Sequence, residues 1–233
     1  MTNVMPFLLK DAERPLRYRL DQIDTLFRLG YRDRQQEILE NIEQFGESSD
    51  ILSYFLQQVT KSRKLVNMIG AQCYLLHSGE NYYARLNFWL PKMASTDVIQ
   101  RRVEQYFSIG VLHNHSFDFF TVGLLGTGYY NQFYRYEADD LDQYEVGDQL
   151  LLSKTKSLKL GKGKALFVTK SFDFHTQFEP DDFSISLNFI PKIYDFVGSK
   201  DYAQLIVDPK TYIVQRKFLS DPKAPTLKEM ALV

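Results

Sequence analysis

The chain has 233 residues, a formal net charge of −1, and a composition that is 44% hydrophobic and 15% aromatic. This is enough apolar material for one large domain, with or without an added helical segment, and the near-neutral charge excludes a general attraction to nucleic acid or membranes. No apolar run approaches the length that spans a membrane, and Cys73 is the only cysteine, so we expect a soluble cytoplasmic protein without disulfides.

The first part of the chain has the residue spacing of amphipathic helices. Apolar residues recur at helical intervals over 21–29 and 35–45, and a third helix is predicted to begin near Ser49. Gly46 follows the second run and is predicted to be its C-cap. The sequence therefore predicts an N-terminal helical segment over residues 1–70.

From about residue 71 the pattern changes to short runs of β-forming residues that are separated by turns. Besides the run that carries the histidines, strands are predicted over 71–76, 82–90, 129–137, 149–153, 157–160, 164–168, 173–177, 183–190, 203–207 and 211–218. A further helix is predicted over about 95–107. Short strands at this spacing are typical of a sandwich or barrel. The sequence predicts a β-sandwich or β-barrel over residues 71–220 and a tail over 221–233.

Two histidines lie two positions apart within one run of strand-forming residues. Side chains alternate across a strand, so His113 and His115 are predicted to share a face. Two charged imidazoles would repel each other there, whereas a metal ion lets each of them donate a neutral nitrogen lone pair. His175, on a later predicted strand, is expected to supply a third imidazole. The alternative is a structural role, which we expect for His77 beside a turn.

These histidines lie in a pattern that resembles the cupin superfamily. Residues 110–128, which hold the histidine pair and end in a glycine-rich turn, are similar to the first cupin motif. Residues 157–188 resemble the second motif, and especially the cysteine dioxygenase-like branch, in which a serine-rich strand follows a third metal-binding histidine. The resemblance covers about residues 80–195. It implies a mainly β (α+β) fold, a cupin-type double-stranded β-helix barrel with an N-terminal helical segment.

The resemblance also implies that His113, His115 and His175 form the metal site without a carboxylate. Phe119 stands where the family's carboxylate ligand is expected, and Asp118 lies one place short of it. Strand alternation puts Asp118 on the face opposite to His115, unless a bulge redirects its side chain. Its alternative role is to hydrogen-bond a ligand imidazole or a nearby turn. Glu137 and Glu179 are remoter candidates for ligands.

The chemistry that the resemblance implies is an Fe(II)- and O2-dependent oxidation of a small, amino-acid-derived metabolite. Imidazole ligands also suit Zn, Ni or Mn, so a non-redox isomerase or lyase stays open. A non-catalytic ligand-binding module of the same fold is a further alternative. The expected partners are a small-molecule substrate, O2 and a second copy of the chain in a homodimer, with no nucleic acid and no membrane.

Strand parity nominates residues around the metal site. Tyr130, Gln132 and Tyr134 share one face of a predicted strand and are candidates for a catalytic wall, because phenols donate hydrogen bonds and pack apolar substrates. The alternative is that these side chains pack at an interface or on the sheet surface. Arg85 is a candidate for binding a substrate carboxylate, or for a surface ion pair. Ser186 lies on a face of small polar residues and is a candidate for substrate contact.

Overall fold

A computed structural model describes residues 5–62, 72–91, 109–136, 141–170, 173–192 and 203–219 of the chain, with side chains from residue 16 onward except at residues 62, 203 and 219. The predicted helix near 95–107, Glu137 and the tail over 221–233 lie outside these ranges. No helix within them is both long enough and apolar enough to cross a membrane.

Three α-helices form the N-terminal segment, as the sequence predicts. They are α1 (Met5–Arg28), α2 (Gln35–Glu47) and α3 (Asp50–Ser62). The predicted C-cap role of Gly46 is wrong, because this residue is buried inside α2. A Cβ atom at Gly46 would lie only 2.7 Å from Gly163 Cα and from Gly123 O, so the glycine allows α2 to approach the barrel backbone closely.

The strands of the described residues form two antiparallel sheets. They are β1 (Cys73–Ser78), β2 (Tyr82–Trp89), β3 (Leu112–His113), β4 (Phe119–Leu125), β5 (Tyr129–Tyr136), β6 (Leu152–Leu160), β7 (Ala165–Val168), β8 (Asp173–Phe178), β9 (Ser184–Pro191), β10 (Ala203–Val207) and β11 (Val214–Leu219). The first sheet has the order β1-β2-β9-β4-β7, and the second sheet has the order β11-β10-β3-β8-β5-β6.

The pairing of the strands identifies a jelly roll. β2 pairs with β9, β3 with β8, β4 with β7 and β5 with β6, all antiparallel. These pairs form one long hairpin that is wrapped so that successive pairs fall alternately in the first and the second sheet. This is the double-sheet arrangement that cupins share with other jelly rolls. The predicted fold class, a mainly β cupin-type barrel with N-terminal helices, is confirmed.

Two strand predictions differ from the structure. The runs 149–153 and 157–160 are not separate strands, because β6 continues through the polar residues between them. Hydrogen bonds to β5 hold this edge strand, and the register shifts between Gln132 and Tyr134. The final predicted strand over 211–218 is shorter at its start, because residues 208–212 form a turn around the Asp208 side chain.

The N-terminal helices pack on the outer face of the first sheet. Buried side chains of the helices and of this face form one apolar cluster, which includes Ile23, Ile38, Ile42, Phe45, Tyr82, Leu86, Phe120, Val122, Leu187 and Phe189. The division at residue 70 stays a prediction, although the two parts share this core. Because helices cover the outer face, the apolar side of β2 points away from the barrel interior and its polar side points inward.

Candidate metal centre

Three histidine rings converge inside the barrel. His113 on β3 lies directly opposite His175 on β8, and their Nε2 atoms are 3.0 Å apart. The Nε2 atom of His115 lies 3.2 Å from that of His175. All three residues are at most 2% exposed, and one ligand atom from each lies within 4.8 Å of the others. The predicted convergence of these histidines is confirmed.

His115 reaches this cluster from a loop rather than from a strand. β3 ends at His113 and β4 begins at Phe119, so residues 114–118 form an irregular connection, which we call the histidine loop. The prediction that both histidines lie on one continuous strand is therefore wrong. The Leu205 backbone N–H donates to Asn114 Oδ1 at 2.6 Å and holds the start of this loop against β10.

Asp118 ends the histidine loop and points away from the cluster. Its buried carboxylate accepts hydrogen bonds from Tyr31 Oη at 2.7 Å, from Arg32 Nε at 3.0 Å and from the Lys170 backbone N–H at 2.7 Å. Asp118 is therefore neither a metal ligand nor the partner of a ligand imidazole. Its alternative role is confirmed in one respect, because it accepts a hydrogen bond from the backbone N–H of Lys170 in a nearby turn. Glu179 also lies outside the group of metal-ligating side chains.

Burial keeps the three imidazoles neutral. Loss of hydration lowers the pKa of His113 to about 4, while the Val111 carbonyl, which accepts from Nδ1 at 3.0 Å, acts in the opposite direction. Loss of hydration also holds the pKa values of His115 and His175 well below 6.5, and repulsion from the neighbouring rings adds to this effect. Neutral imidazole is the form that binds a metal ion.

The donor set fits a first-row divalent metal ion. With a proton on Nδ1, the Nε2 atom of His113 presents a bare lone pair to the other two rings. A metal ion removes the repulsion between such lone pairs, and imidazole suits iron, zinc, nickel and manganese. The Nδ1 atoms of His115 and His175 have no hydrogen-bond partner among the described residues. Buried ring nitrogens without a hydrogen-bond partner lower the free energy of unfolding, so a cluster of this kind is expected to have a function.

Aromatic rings line one side of the cluster. The His115 ring contacts Phe117 at 5.1 Å and Phe119 at 4.8 Å between centroids, and the His175 ring lies 5.6 Å from Phe133. Beside His115 is a cavity of about 10 Å³, which is close to the space that one water molecule needs. Its lining is mostly polar and consists of Gln72, Arg85, Asn87, Trp89, His115, Phe119, Gln177 and Asn188.

The structure brings Arg85 and Ser186 into the barrel interior, a position that the sequence left open for both residues. Arg85 is 3% exposed, lines the cavity beside His115, and places its guanidinium 5.9 Å from the centre of the Phe117 ring. It is therefore not the surface ion pair that was the alternative. Ser186 is buried on β9 and accepts a hydrogen bond from Trp89 Nε1 at 3.0 Å.

The predicted wall of Tyr130, Gln132 and Tyr134 lies on the wrong face of β5. Phe133 pairs with His175 and contacts its ring, so the residues before and after it point to the outside of the barrel. Tyr130 is 40% exposed. Side-chain contacts hold the other two outside as well, since Gln132 donates to the Lys156 carbonyl and the Tyr134 ring packs 6.0 Å from Tyr212. None of the three is brought to the histidines.

The opposite face of β5 carries the residues that the sequence analysis missed. Tyr129 is buried and stacks on Trp89 with 3.8 Å between the ring centroids, so it joins the lining of the cavity to the second sheet. The Asn131 amide nitrogen is buried without a hydrogen-bond partner. The alternation of side chains along a strand could have grouped Tyr129 with Phe133. Both faces of β5 carry aromatic residues, however, and no local sequence feature shows which face points into the barrel.

No protein-family model matches the sequence, and no curated protein matches it. Three solved structures that resemble it are the hydroquinone 1,2-dioxygenase PnpCD with Cd²⁺ and 4-hydroxybenzonitrile, the DMSP lyase DddQ from Ruegeria pomeroyi DSS-3, and a cupin domain from Bordetella pertussis Tohama I. Identities are 10%, 11% and 12%, and TM-scores are 0.33, 0.32 and 0.31. The matches cover 51%, 53% and 53% of this chain.

The matched regions cover 63%, 47% and 95% of those three chains, so this chain spans about half of the lyase. At this level of similarity the likenesses concern the fold and say nothing about chemistry. The strand pairing itself gives the chain a cupin-type jelly roll, with a buried cluster of three histidines at its centre.

Proposed function

We propose that this chain is a metal-dependent enzyme in which His113, His115 and His175 hold one divalent ion, with Fe(II) as the leading candidate. The observation that carries the proposal is the convergence of three buried Nε2 atoms. That of His175 lies 3.0 Å from the Nε2 atom of His113 and 3.2 Å from that of His115. Three protein ligands leave coordination positions open, which is the arrangement of catalytic rather than structural metal sites. With Fe(II), such a centre supplies the activation of O2 for oxidation of a bound substrate.

The surrounding side chains suit a small substrate with an acidic group. Arg85 is a buried cation beside His115, and the amides of Asn87, Gln177 and Asn188 line the same water-sized cavity, so these side chains have to move apart to admit a substrate. A guanidinium can bind a carboxylate through two parallel hydrogen bonds, and the amides can donate further ones. Phe117 and Phe119 pack against His115 and limit the access of water. Ser186 contributes by holding Trp89 in the lining.

Metal content tests this proposal directly. The protein is purified without oxygen, and bound metals are measured by mass spectrometry in the wild type, in His115→Ala and in His77→Ala. His77 is the remaining histidine and packs near Tyr82 on the helix side of the first sheet, so it controls for the loss of an imidazole. We expect about one iron per wild-type and His77→Ala chain, and an affinity at least roughly 100-fold lower in His115→Ala.

Other results point to other functions. Stoichiometric zinc, nickel or manganese would favour a non-redox isomerase or lyase, and a wild type that takes up no metal even after reconstitution would leave a ligand-binding module. Oxygen consumption then separates the enzyme classes. Uptake that requires Fe(II) and a small carboxylate substrate, and that is lost in His115→Ala, supports an oxygenase. Turnover of the same substrates without oxygen uptake contradicts it.

A further inference from the structure

The three histidines are supported in different ways. His113 and His175 face each other across a strand pair, whereas His115 belongs to the histidine loop and takes part in no strand pairing. Its ring rests on Phe117 and Phe119, which are the two residues that flank Asp118. The position of the His115 ring therefore depends on where Asp118 is held.

Asp118 is held by the N-terminal helical segment. Tyr31 Oη, Arg32 Nε and Arg32 Nη2 all lie within 3.0 Å of Asp118 Oδ2, while the Lys170 backbone N–H binds Oδ1. We call this group the Asp118 clamp. The Asp118 side chain has no exposed surface, so the hydrogen bonds act in a poorly hydrated environment where they are strong.

The clamp is anchored by the shared core of helices and barrel. Tyr31 belongs to the connection between α1 and α2, and its ring packs 5.8 Å from Phe27 and 6.4 Å from Phe120. Phe120 lies on the outer face of β4, two residues after Asp118. The N-terminal helical segment thus contacts both the Asp118 carboxylate and β4, the strand that follows it.

We propose that Asp118, held by Tyr31 and Arg32, is the positioning residue for His115, and that the N-terminal helical segment is thereby part of the metal centre. Loosening the clamp lets Phe117 and Phe119 shift, and the His115 ring follows them. The strand-paired rings of His113 and His175 stay in place. The proposal builds on the metal site proposed above, but the position of a ring can be observed without metal.

The first experiment follows the imidazole signals of metal-free protein. The chain has four histidines, so ¹³C-histidine NMR gives few ring signals, and substitution of each histidine assigns them. The clamp variants are Tyr31→Phe, which removes one hydroxyl, and Arg32→Ala, with Arg32→Lys to restore the charge. The control is Arg19→Ala, which breaks the ion pair of 2.6 Å from Arg19 to Asp50 within the helical segment.

The expected result is selective. Tyr31→Phe and Arg32→Ala shift the His115 ring signals most, the signals of the neighbouring His113 and His175 rings shift less, and Arg32→Lys recovers part of the His115 shift. Arg19→Ala moves none of the three, even if it lowers the melting temperature equally. Wild-type signals in the clamp variants, or equal shifts of all three rings in clamp and control variants, would overturn the positioning role.

Cobalt binding then connects the position of the ring to the metal site. We expect Tyr31→Phe and Arg32→Ala to bind Co²⁺ roughly 10-fold more weakly than the wild type and with an altered visible absorption spectrum, because supporting residues of metal ligands have effects of this size. Arg19→Ala should match the wild type. A wild type that does not bind Co²⁺ would sink the proposed metal function, while the NMR result would still decide whether the clamp positions His115.

Discussion

Two regions of the metal centre reach the same point by different means. His113 and His175 are placed by the backbone ladder of the second sheet, where β3 lies between β8 and β10. His115 is placed by a loop whose ends are held by side chains, Asn114 at one end and Asp118 at the other. Ladder hydrogen bonds need no particular side chain, whereas the loop depends on individual ones. The two regions should therefore respond differently to substitution.

Acid should have the largest effect, and it should act on both regions because burial is common to them. Below pH 6.5 the unfolded chain binds a proton at His113, which the folded protein excludes down to a pKa of about 4. The free energy of unfolding should therefore fall as the pH falls from 6.5 towards 4. His113 alone accounts for about 3 kcal/mol of this loss, and the lowered pKa values of His115 and His175 add to it.

Urea unfolding of chelator-treated protein at several pH values measures this loss. His113→Asn, which removes one titrating ring, should have a shallower dependence on pH than the wild type. A free energy of unfolding that is constant between pH 6.5 and 4 would show that the rings are not buried and neutral.

Asn114→Ala should have an intermediate effect that is concentrated on His115. The substitution leaves the Leu205 backbone N–H without its partner at 2.6 Å, and an unsatisfied buried donor costs about 1–3 kcal/mol. We expect metal affinity to fall and the His115 ring signals to shift more than those of His113 and His175. Gln149→Ala is the matched control, because it removes an amide-to-backbone hydrogen bond on the surface. Equal losses of metal affinity in Asn114→Ala and Gln149→Ala would contradict a special role for the histidine loop.

Tyr130→Phe should have the smallest effect. Tyr130 lies on the outer face of β5, where its hydroxyl donates to the exposed Asp181. Its loss should change the free energy of unfolding by less than about 0.5 kcal/mol, as is usual for surface positions, and should leave metal content unchanged. Calorimetry and metal analysis of this variant beside the wild type measure both. A clear loss of metal would mean that the outer face of β5 takes part in the site after all.

The sequence by itself determined the elements and the histidine set. Helical and strand periodicities predicted the N-terminal helices and most of the strands, because these patterns depend on neighbouring residues only, and the resemblance to cupins then implied the barrel. The spacing of His113 and His115, with His175 on a later strand, identified the cluster through its metal-binding chemistry. The alternation of polar and apolar residues in β2 likewise predicted that Arg85 lies on the polar face of this strand.

Only the tertiary structure decided which face of each strand is inside. Alternation sorts side chains into two groups, but it does not say which group meets the histidines when helices bury the other side, so Arg85 points inward and Tyr130 outward. The local sequence also did not separate the strand from the loop, because β3 ends at His113 although β8 and β10 both continue beyond the residues that pair with it. The partners of Asp118, Tyr31 and Arg32, lie 87 and 86 residues away in the chain, and no local pattern connects groups at that separation.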